Sequence, residues 1–258
     1  LNQVRHFIFQ AIDQLVYPCR CLKCKTYMDA GPMDFASLDT CFCPLCRSGG
    51  FFPITYPYCR RCGLQLPVTA GAAHLCESCI RTPLNLDRVR AVAQYEGIFK
   101  DSIHLLKYQS RLSVARVLEH LLFQSFETHF GASTVQVILP VPLHRKRLKK
   151  RGFNQAVLLV RRFERWHRKK HGTAPPWQIN FSALVRNRHT LPQTGFDIAR
   201  RKSNLKGAFT VADQKAVENK HVLLVDDVFT TGATCNEAAG QLLKYGAAKV
   251  DALVLARA

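Results

Sequence analysis

Acidic side chains are scarce in this 258-residue chain: 18 Asp and Glu stand against 37 Lys and Arg, a formal charge of +19. That imbalance excludes an acidic surface and points to phosphate-rich partners, either nucleic acid or a polyphosphate substrate. Long apolar runs are missing as well. None approaches the roughly 20 residues of a spanning helix, so no membrane insertion is expected. The opening stretch, LNQVRHFIFQAIDQLV, is amphipathic and carries Asp13, which is not the pattern of a secretory signal. It predicts a short helix with Val4, Phe7, Ile8, Ile12 and Leu15 on one face. Cysteine is nearly absent beyond residue 80, where only Cys235 of the eleven lies. The chain therefore divides into a cysteine-rich module over residues 1–82 and a sheet domain over residues 83–258.

Four Cys-x-x-Cys pairs occur in order within the first region: Cys21/Cys24, Cys43/Cys46, Cys59/Cys62 and Cys76/Cys79. Their spacing suits two zinc ribbons, each with four thiolates, so about two structural zinc ions are expected. Disulfides are disfavoured without a secretion signal. A redox dithiol needs one such pair beside a βαβ unit, not four in tandem. Interleaved cross-brace ligation uses the same eight cysteines, and spacing alone leaves that pairing open. Cys19 and Cys41 precede their pairs as Cys-x-Cys-x-x-Cys and are read as spare thiols. A closed set of four cysteines leaves no open position for catalysis, so zinc here holds up a fold too small for its own core. Losing a ligand such as Cys62 is then expected to unfold the module and spare the sheet domain.

Beyond residue 83, strand and helix patterns alternate, which predicts an α/β domain with a mostly parallel sheet and helices on both faces. Strands are expected over Arg90–Tyr95, Val135–Val141, Phe181–Val185, Val222–Val225 and Val250–Ala256, and helices over Phe99–Tyr108 and Leu112–Phe126. The basic run Arg145 to Arg151 follows one strand and should lie at the ligand edge of the sheet, with Arg151 favoured for phosphate contact. Gly152 is expected to open a long helix running to Lys170. The polar stretch Arg186 to Asn204 reads as a long loop whose Gln193, Thr194, Arg200 and Arg201 would fold over a phosphate.

The strongest signal is Val222 to Thr234, VLLVDDVFTTGAT. A buried strand is predicted to end at Asp226 and Asp227. The loop Thr230-Thr231-Gly232-Ala233-Thr234 then enters a helix, whose N-terminal amides suit a phosphate. The acids offer acceptors for sugar hydroxyls or Mg²⁺, so together the two parts fit a ribose 5-phosphate. A receiver domain also ends a strand in two acids, but near its chain start and without a Thr-Gly-x-Thr loop. No general base stands out; His104, His144 and His189 are candidates only.

Four apolar residues, two acids and Thr-Thr-Gly-x-Thr resemble the PRPP-binding motif of type I phosphoribosyltransferases. Further stretches extend the likeness. They are the paired zinc knuckles, Tyr95-Glu96-Gly97, Leu106-Lys107-Tyr108, Pro140-Val141-Pro142-Leu143, Arg151-Gly152-Phe153-Asn154-Gln155, Gln193-Thr194 and Arg201-Lys202-Ser203-Asn204-Leu205-Lys206-Gly207-Ala208-Phe209. Over almost its whole length the chain resembles the ComF family, also called ComFC or GntX-like proteins. The resemblance implies a bacterial, cytoplasmic protein with a type I phosphoribosyltransferase fold and a link to DNA uptake in natural transformation. It also implies Asp226 and Asp227 on the ribose hydroxyls, Thr230 to Thr234 on the 5-phosphate, and Mg²⁺ accompanying PRPP. Single-stranded DNA and competence machinery such as a DNA helicase are the implied macromolecular partners. An enzyme would release pyrophosphate from PRPP; the competing expectation is a non-catalytic single-stranded-DNA-binding protein that keeps the fold as a PRPP-responsive scaffold.

Overall fold

β-branched, apolar runs form a parallel sheet whose central strands are buried on both faces. The computed structural model describes residues 20–28, 38–68, 71–109, 111–188 and 205–258; the expected N-terminal helix lies outside them. In chain order the elements are α1 (Pro44–Arg47), α2 (Glu77–Arg81), β1 (Val89–Gln94), α3 (Gly97–Gln109), α4 (Leu112–Phe130), β2 (Val137–Pro140), α5 (Arg145–Arg151), α6 (Gln155–Leu158), α7 (Phe163–His171), β3 (Gln178–Ile179), β4 (Leu184–Arg186), β5 (Phe209–Val211), β6 (His221–Phe229), α8 (Ala233–Lys244) and β7 (Lys249–Arg257). The sheet order is β1-β7-β6-β2-β3, with every neighbouring pair parallel. Strands β4 and β5 form a separate antiparallel pair. No helix among the described residues is long and apolar enough to cross a membrane.

Alternate residues of the central strands feed two apolar layers. Val222, Leu224, Val250, Ala252 and Val254 pack with Ala238, Ala239 and Leu242 of α8. Leu223, Val225, Leu253 and Leu255 pack with Ile103 and Leu106 of α3, Leu118 of α4 and Phe163 of α7. Helices thus cover both faces, as the alternating pattern predicts.

The connections diverge between β2 and β6. From β2 the chain moves outward to β3, and from β6 it moves the other way to β7. Such a switch point leaves a crevice outside the carboxyl ends of the two strands. Pairing of β2 with β6 ends at Pro140 and Val225, whereas β6 and β7 stay paired as far as Phe229 and Arg257. The crevice therefore opens beside Asp226.

Two expectations need correction. The strand does not stop at the acids; β6 runs on through them to Phe229, because β7 continues to pair with it. The long helix from Gly152 to Lys170 is absent. The basic run itself is helical, as α5, and Gly152 terminates it with a left-handed φ of 81° while donating to Leu148 O. Asn154 then caps α6 by accepting from Ala156 N–H, and α7 starts afresh at Phe163. Gly152 is a C-terminal stop, the position where glycine is favoured.

The cysteine region is built onto the sheet. Phe52 to Ile54 runs antiparallel along β1: Pro53 bridges Ala93, Gln94 N–H donates to Phe52 O at 2.8 Å, and Ile54 N–H donates to Val92 O at 3.3 Å. Val89 N–H donates to Arg61 O at 2.6 Å. Cys59, Cys62, Cys76 and Cys79 belong to the same apolar layer as Val89, Leu224 and α8, while Cys21 and Cys43 belong to the layer of α3 and α4. Gly97 marks the docking. A Cβ there would lie 2.3 Å from Gly50 O and 2.4 Å from Gly49 O, so only glycine admits this approach. The expected independence of the module from the sheet is not what this packing describes.

Candidate functional site

Successive residues of a strand point to opposite faces, and the two acids follow that rule. Asp226 shares its face with Leu224 and looks toward α8, where Cys235 Sγ lies 3.9 Å from its Oδ2. Asp227 shares its face with Val225 and looks toward α3, where Lys107 Nζ lies 2.6 Å from its Oδ1. Both members of that ion pair are largely buried, with side chains 16% and 14% exposed. Burial works against the charge of Lys107, but Asp227 outweighs it and raises the lysine's pKa. Asp226 is different. Burial, with the neighbouring Asp227 charge added, pushes its carboxyl up to about 7, against the opposing pull of Asp227 N–H, Lys107 and Arg186. A buried carboxyl in that state is a group prepared to meet hydroxyls or a cation.

This has a measurable consequence for the unliganded protein. The folded-state pKa of Asp226 lies above its unfolded value of about 3.9, so the native state holds the proton more tightly. Its contribution to stability is present below about pH 4 and is lost as pH rises toward about 7. Glu119, pushed up to about 7 by burial, acts with the same sign. Asp226→Asn keeps the acceptor for Asp227 N–H and removes the ionisation. We expect it to flatten the fall of Tm across this window and to raise Tm at pH 7.5 by a few degrees, roughly 2–4 °C per kcal/mol for a chain of this size. Thermal melts of both proteins from pH 4 to 8 check it; parallel curves would show that Asp226 carries no such penalty.

The loop after β6 is fixed from below. Arg257 Nη1 donates to Phe229 O and to Thr230 O, the latter at 2.8 Å, and Ala258 N–H donates to Phe229 O at 3.1 Å. Gly232 takes a φ of 75° at the N-cap of α8, and a Cβ there would fall 2.2 Å from the Phe229 ring, so a larger residue would displace the ring or the loop. Gly232, as the N-cap residue, has no side chain with which to cap α8. Ala233 N–H has only a long contact to Thr231 Oγ1, 3.4 Å. Thr230, Thr231, Gly232, Ala233 and Thr234 therefore sit where the positive end of a 12-residue helix meets the crevice.

Basic groups converge on the same edge. Arg151 lies with its guanidinium 5.6 Å from the Tyr108 ring centroid and donates to Gln155 Oε1 at 2.8 Å. Arg186, at the end of β4, is buried; burial and then the charge of Arg147 lower its pKa to about 10, while Asp226 acts the other way. Lys107, Arg147 and Arg186 thus join the predicted Arg151. Arg186 stood at the start of an expected loop, and no periodicity or spacing marks Lys107; its only signal is the Leu106-Lys107-Tyr108 stretch of the family resemblance. Arg201, Gln193, Thr194, Arg200 and His189 lie outside the described residues. His144 serves as the N-cap of α5, its Nδ1 accepting from Lys146 N–H at 3.2 Å. His104 Nε2 lies 2.8 Å from the Tyr95 hydroxyl.

The cysteines form two groups. The sulfurs of Cys21, Cys24, Cys43 and Cys46 lie within 4.8 Å of one another, and so do those of Cys59, Cys62, Cys76 and Cys79. Consecutive pairs thus go together, which answers the question that spacing left open. No disulfide joins any described cysteine. The groups repeat in detail. Arg20 bridges Tyr27 around the first pair, as Tyr58 bridges Gln65 around the third. Cys43 and Cys76 are each the N-cap of a short helix with ψ of 161°. Cys59 is buried, which disfavours its thiolate, yet the N–H groups of Cys76 and Cys62, at 3.3 and 3.5 Å, help bring its pKa down to about 6. Two closed sets of four soft donors fit structural Zn²⁺. Cys41 is buried outside both groups, with Thr40 Oγ1 3.9 Å from its sulfur; Cys19 lies outside the described residues.

Comparison with known proteins agrees with this geometry. The phosphoribosyl transferase domain family matches residues 148–258, which span the whole of β6, its loop and α8. Competence protein F of Haemophilus influenzae is 33% identical over 210 residues, covering 79% of this chain and 86% of that protein. DNA utilization protein YhgH of Escherichia coli strain K12 is 36% identical over 205 residues, covering 77% and 83%. Competence protein ComFC of Bacillus subtilis is 30% identical over 230 residues, covering 83% of each. With the two acids of β6, the parallel sheet and the paired cysteine clusters in place, the chain belongs to the ComF family of competence proteins with a phosphoribosyl transferase fold.

Proposed function

We propose that the crevice at the end of β6 binds PRPP, or another ribose 5-phosphate, and that the protein transfers the phosphoribosyl group to an acceptor with release of pyrophosphate. The observation that carries this reading is the pair of partly buried carboxylates beside the N-terminus of α8, where the N-cap is a glycine, at the switch point of the sheet. Asp226 and Asp227 would accept from the ribose hydroxyls, and Thr230 to Thr234 would hold the 5-phosphate. Arg151 and Arg201, with Lys107, would neutralise the pyrophosphate. In the reaction an acceptor lone pair attacks C1, the C1–O bond breaks, and pyrophosphate leaves with the bonding electrons. The acceptor gives up its proton to solvent or a nearby base. The transition state has oxocarbenium character, so positioning and charge neutralisation supply most of the rate. The donor set is all oxygen and suits Mg²⁺, which would supply charge neutralisation while held mainly by pyrophosphate, with Asp226 and Asp227 near it.

A second reading rests on a separate observation. Helix α5 buries none of its residues and presents Arg145, Lys146, Lys149 and Lys150 to solvent, and α7 adds exposed Arg165, Arg168 and Lys169. Bare basic helices of this kind suit the phosphates of single-stranded DNA. The names of the relatives, competence protein and DNA utilization protein, support a role in DNA uptake; we place that role in the cytoplasm, with competence machinery such as a helicase as partner. The two readings are compatible. Titration calorimetry with PRPP and Mg²⁺, then pyrophosphate release with and without single-stranded DNA, tests both. Binding is expected at millimolar PRPP or below, and DNA affinity is expected to fall steeply with salt, by roughly 0.7 log units per decade of salt for each phosphate contacted. Absence of PRPP binding removes the first reading; salt-independent or absent DNA binding removes the second.

A further inference from the structure

The far side of the molecule carries a cluster that none of this uses. Helix α7 places His167 and His171 one turn apart, with ring centroids 4.4 Å apart. Glu127 of α4 faces them. His171 Nε2 lies 2.6 Å from Glu127 Oε2, and His167 Nδ1 lies 3.9 Å from Glu127 Oε1. Two contacts from Arg162, the N-cap of α7, hold the helices together one end away: Glu119 accepts from Arg162 N–H and from Arg162 Nη1. The three side chains line a cavity of about 420 Å³ with Lys170, Thr173 and Trp177. This cavity lies toward the amino ends of β2 and β3, opposite the crevice of Asp226.

An ion-pair network explains part of the cluster. Lys170 Nζ and His171 Nε2 both reach Glu127 Oε2, at 2.8 and 2.6 Å. It does not explain His167. That residue is only 8% exposed, and its Nδ1 is buried without a hydrogen-bond partner. The 3.9 Å to Glu127 is too long for a hydrogen bond, and a buried polar atom left in this state is costly unless something meets it. One ligand atom from each of Glu127, His167 and His171 lies within 4.8 Å of the others. We propose that Glu127, His167 and His171 form a third metal site, separate from both cysteine clusters, for a divalent transition-metal ion such as Zn²⁺. Two imidazoles and one carboxylate are a borderline donor set that favours Zn²⁺, Ni²⁺ or Co²⁺ over Mg²⁺ or Ca²⁺. Histidines at i and i+4 on one helix face present both rings to a single ion. Water completes the coordination, and the ion clamps α4 to α7.

The protein carries its own reporter. Its only two tryptophans are Trp166 and Trp177; Trp177 lines the cavity, 5.7 Å from the His167 ring between centroids, and Trp166 precedes His167. Ni²⁺ quenches nearby indole emission. Untagged full-length protein with its cysteine sites loaded with zinc is titrated with Ni²⁺, and separately with Zn²⁺ by calorimetry. One further ion per chain is expected, with saturable quenching. His171→Gln, at a partly exposed position, keeps the fold and is expected to bind at least about tenfold more weakly, the least effect typical of a lost metal-site partner. Lys170→Gln removes the ammonium that competes for Glu127 and is expected to bind more tightly. The site is refuted if wild type takes up no ion beyond the cysteine sites, if His171→Gln matches wild type, or if Lys170→Gln weakens binding.

Discussion

Exchanging Asp226 and Asp227 together for Asn is expected to weaken PRPP binding by at least about tenfold, roughly 1.4 kcal/mol, with the fold intact. Asn preserves size and an acceptor oxygen, so Asp227 N–H keeps its bond to residue 226. What disappears is the charge. A pair that served only to tie β6 to α3 would change stability and leave nothing specific to ligand. Here the two effects separate by sign. At neutral pH, removing the buried charge of Asp226 stabilises the unliganded protein, because burial holds that carboxyl up to about 7, while the ligand loses its charged acceptors. The Asp227 change also leaves Lys107 without its ion-pair partner, which offsets part of the gain. Calorimetric titration with PRPP and Mg²⁺, paired with melts, makes the comparison. Equal affinity in wild type and variant would sink the assignment, and a wild type that binds neither PRPP nor ribose 5-phosphate at millimolar concentration would sink the proposed site itself.

The second large effect is structural. Cys62→Ser is expected to destabilise the sheet along with the cysteine region. Cys62 is 3% exposed, lies 3.5 Å from Cys76 Sγ, and belongs to the same apolar layer as Val89, Leu224 and α8. Structural zinc contributes on the order of 10 kcal/mol to small domains it holds, so a lost thiolate should cost several kcal/mol, a Tm drop on the order of 10 °C. Zinc content should fall from about two ions to about one. Cys24→Ser makes the contrast, since Cys24 is exposed and its cluster packs against α3 and α4 instead. Circular dichroism melts with metal analysis decide the matter. A sheet transition at unchanged temperature in Cys62→Ser would mean that the region folds apart from the sheet after all.

Much of this was legible from residue pattern. Val222-Leu223-Leu224-Val225 and Val135 to Val141 read as strands because both their faces are buried, which leaves an unbroken apolar run. The acids and the threonine loop were legible because a strand, a charge pair, small residues and a helix follow one another directly. What the pattern hid depends on tertiary placement. Lys107 reaches Asp227 only because α3 packs across the sheet, and the charge of Arg186 acts on Asp226 only because the β4–β5 pair packs against α8. Gly152 was visible, but a glycine between two helical patterns starts one or ends the other, and its left-handed φ shows that it ends α5. The eight cysteines were plain, whereas their pairing was set by where each knuckle docks.

The strip Phe52 to Ile54 also bears on how the protein keeps to itself. A parallel sheet has two borders, and each offers a row of amides and carbonyls to any passing strand. On the β3 side the border is two residues long, too short to template much. On the β1 side it is six residues long, and the strip occupies it through Gln94 N–H and Val92 O. That strip sits in the sequence between the two cysteine clusters. Metal bound at the two clusters would therefore guard the longer border against strand addition by a second molecule, and a chain stripped of it would leave that edge open.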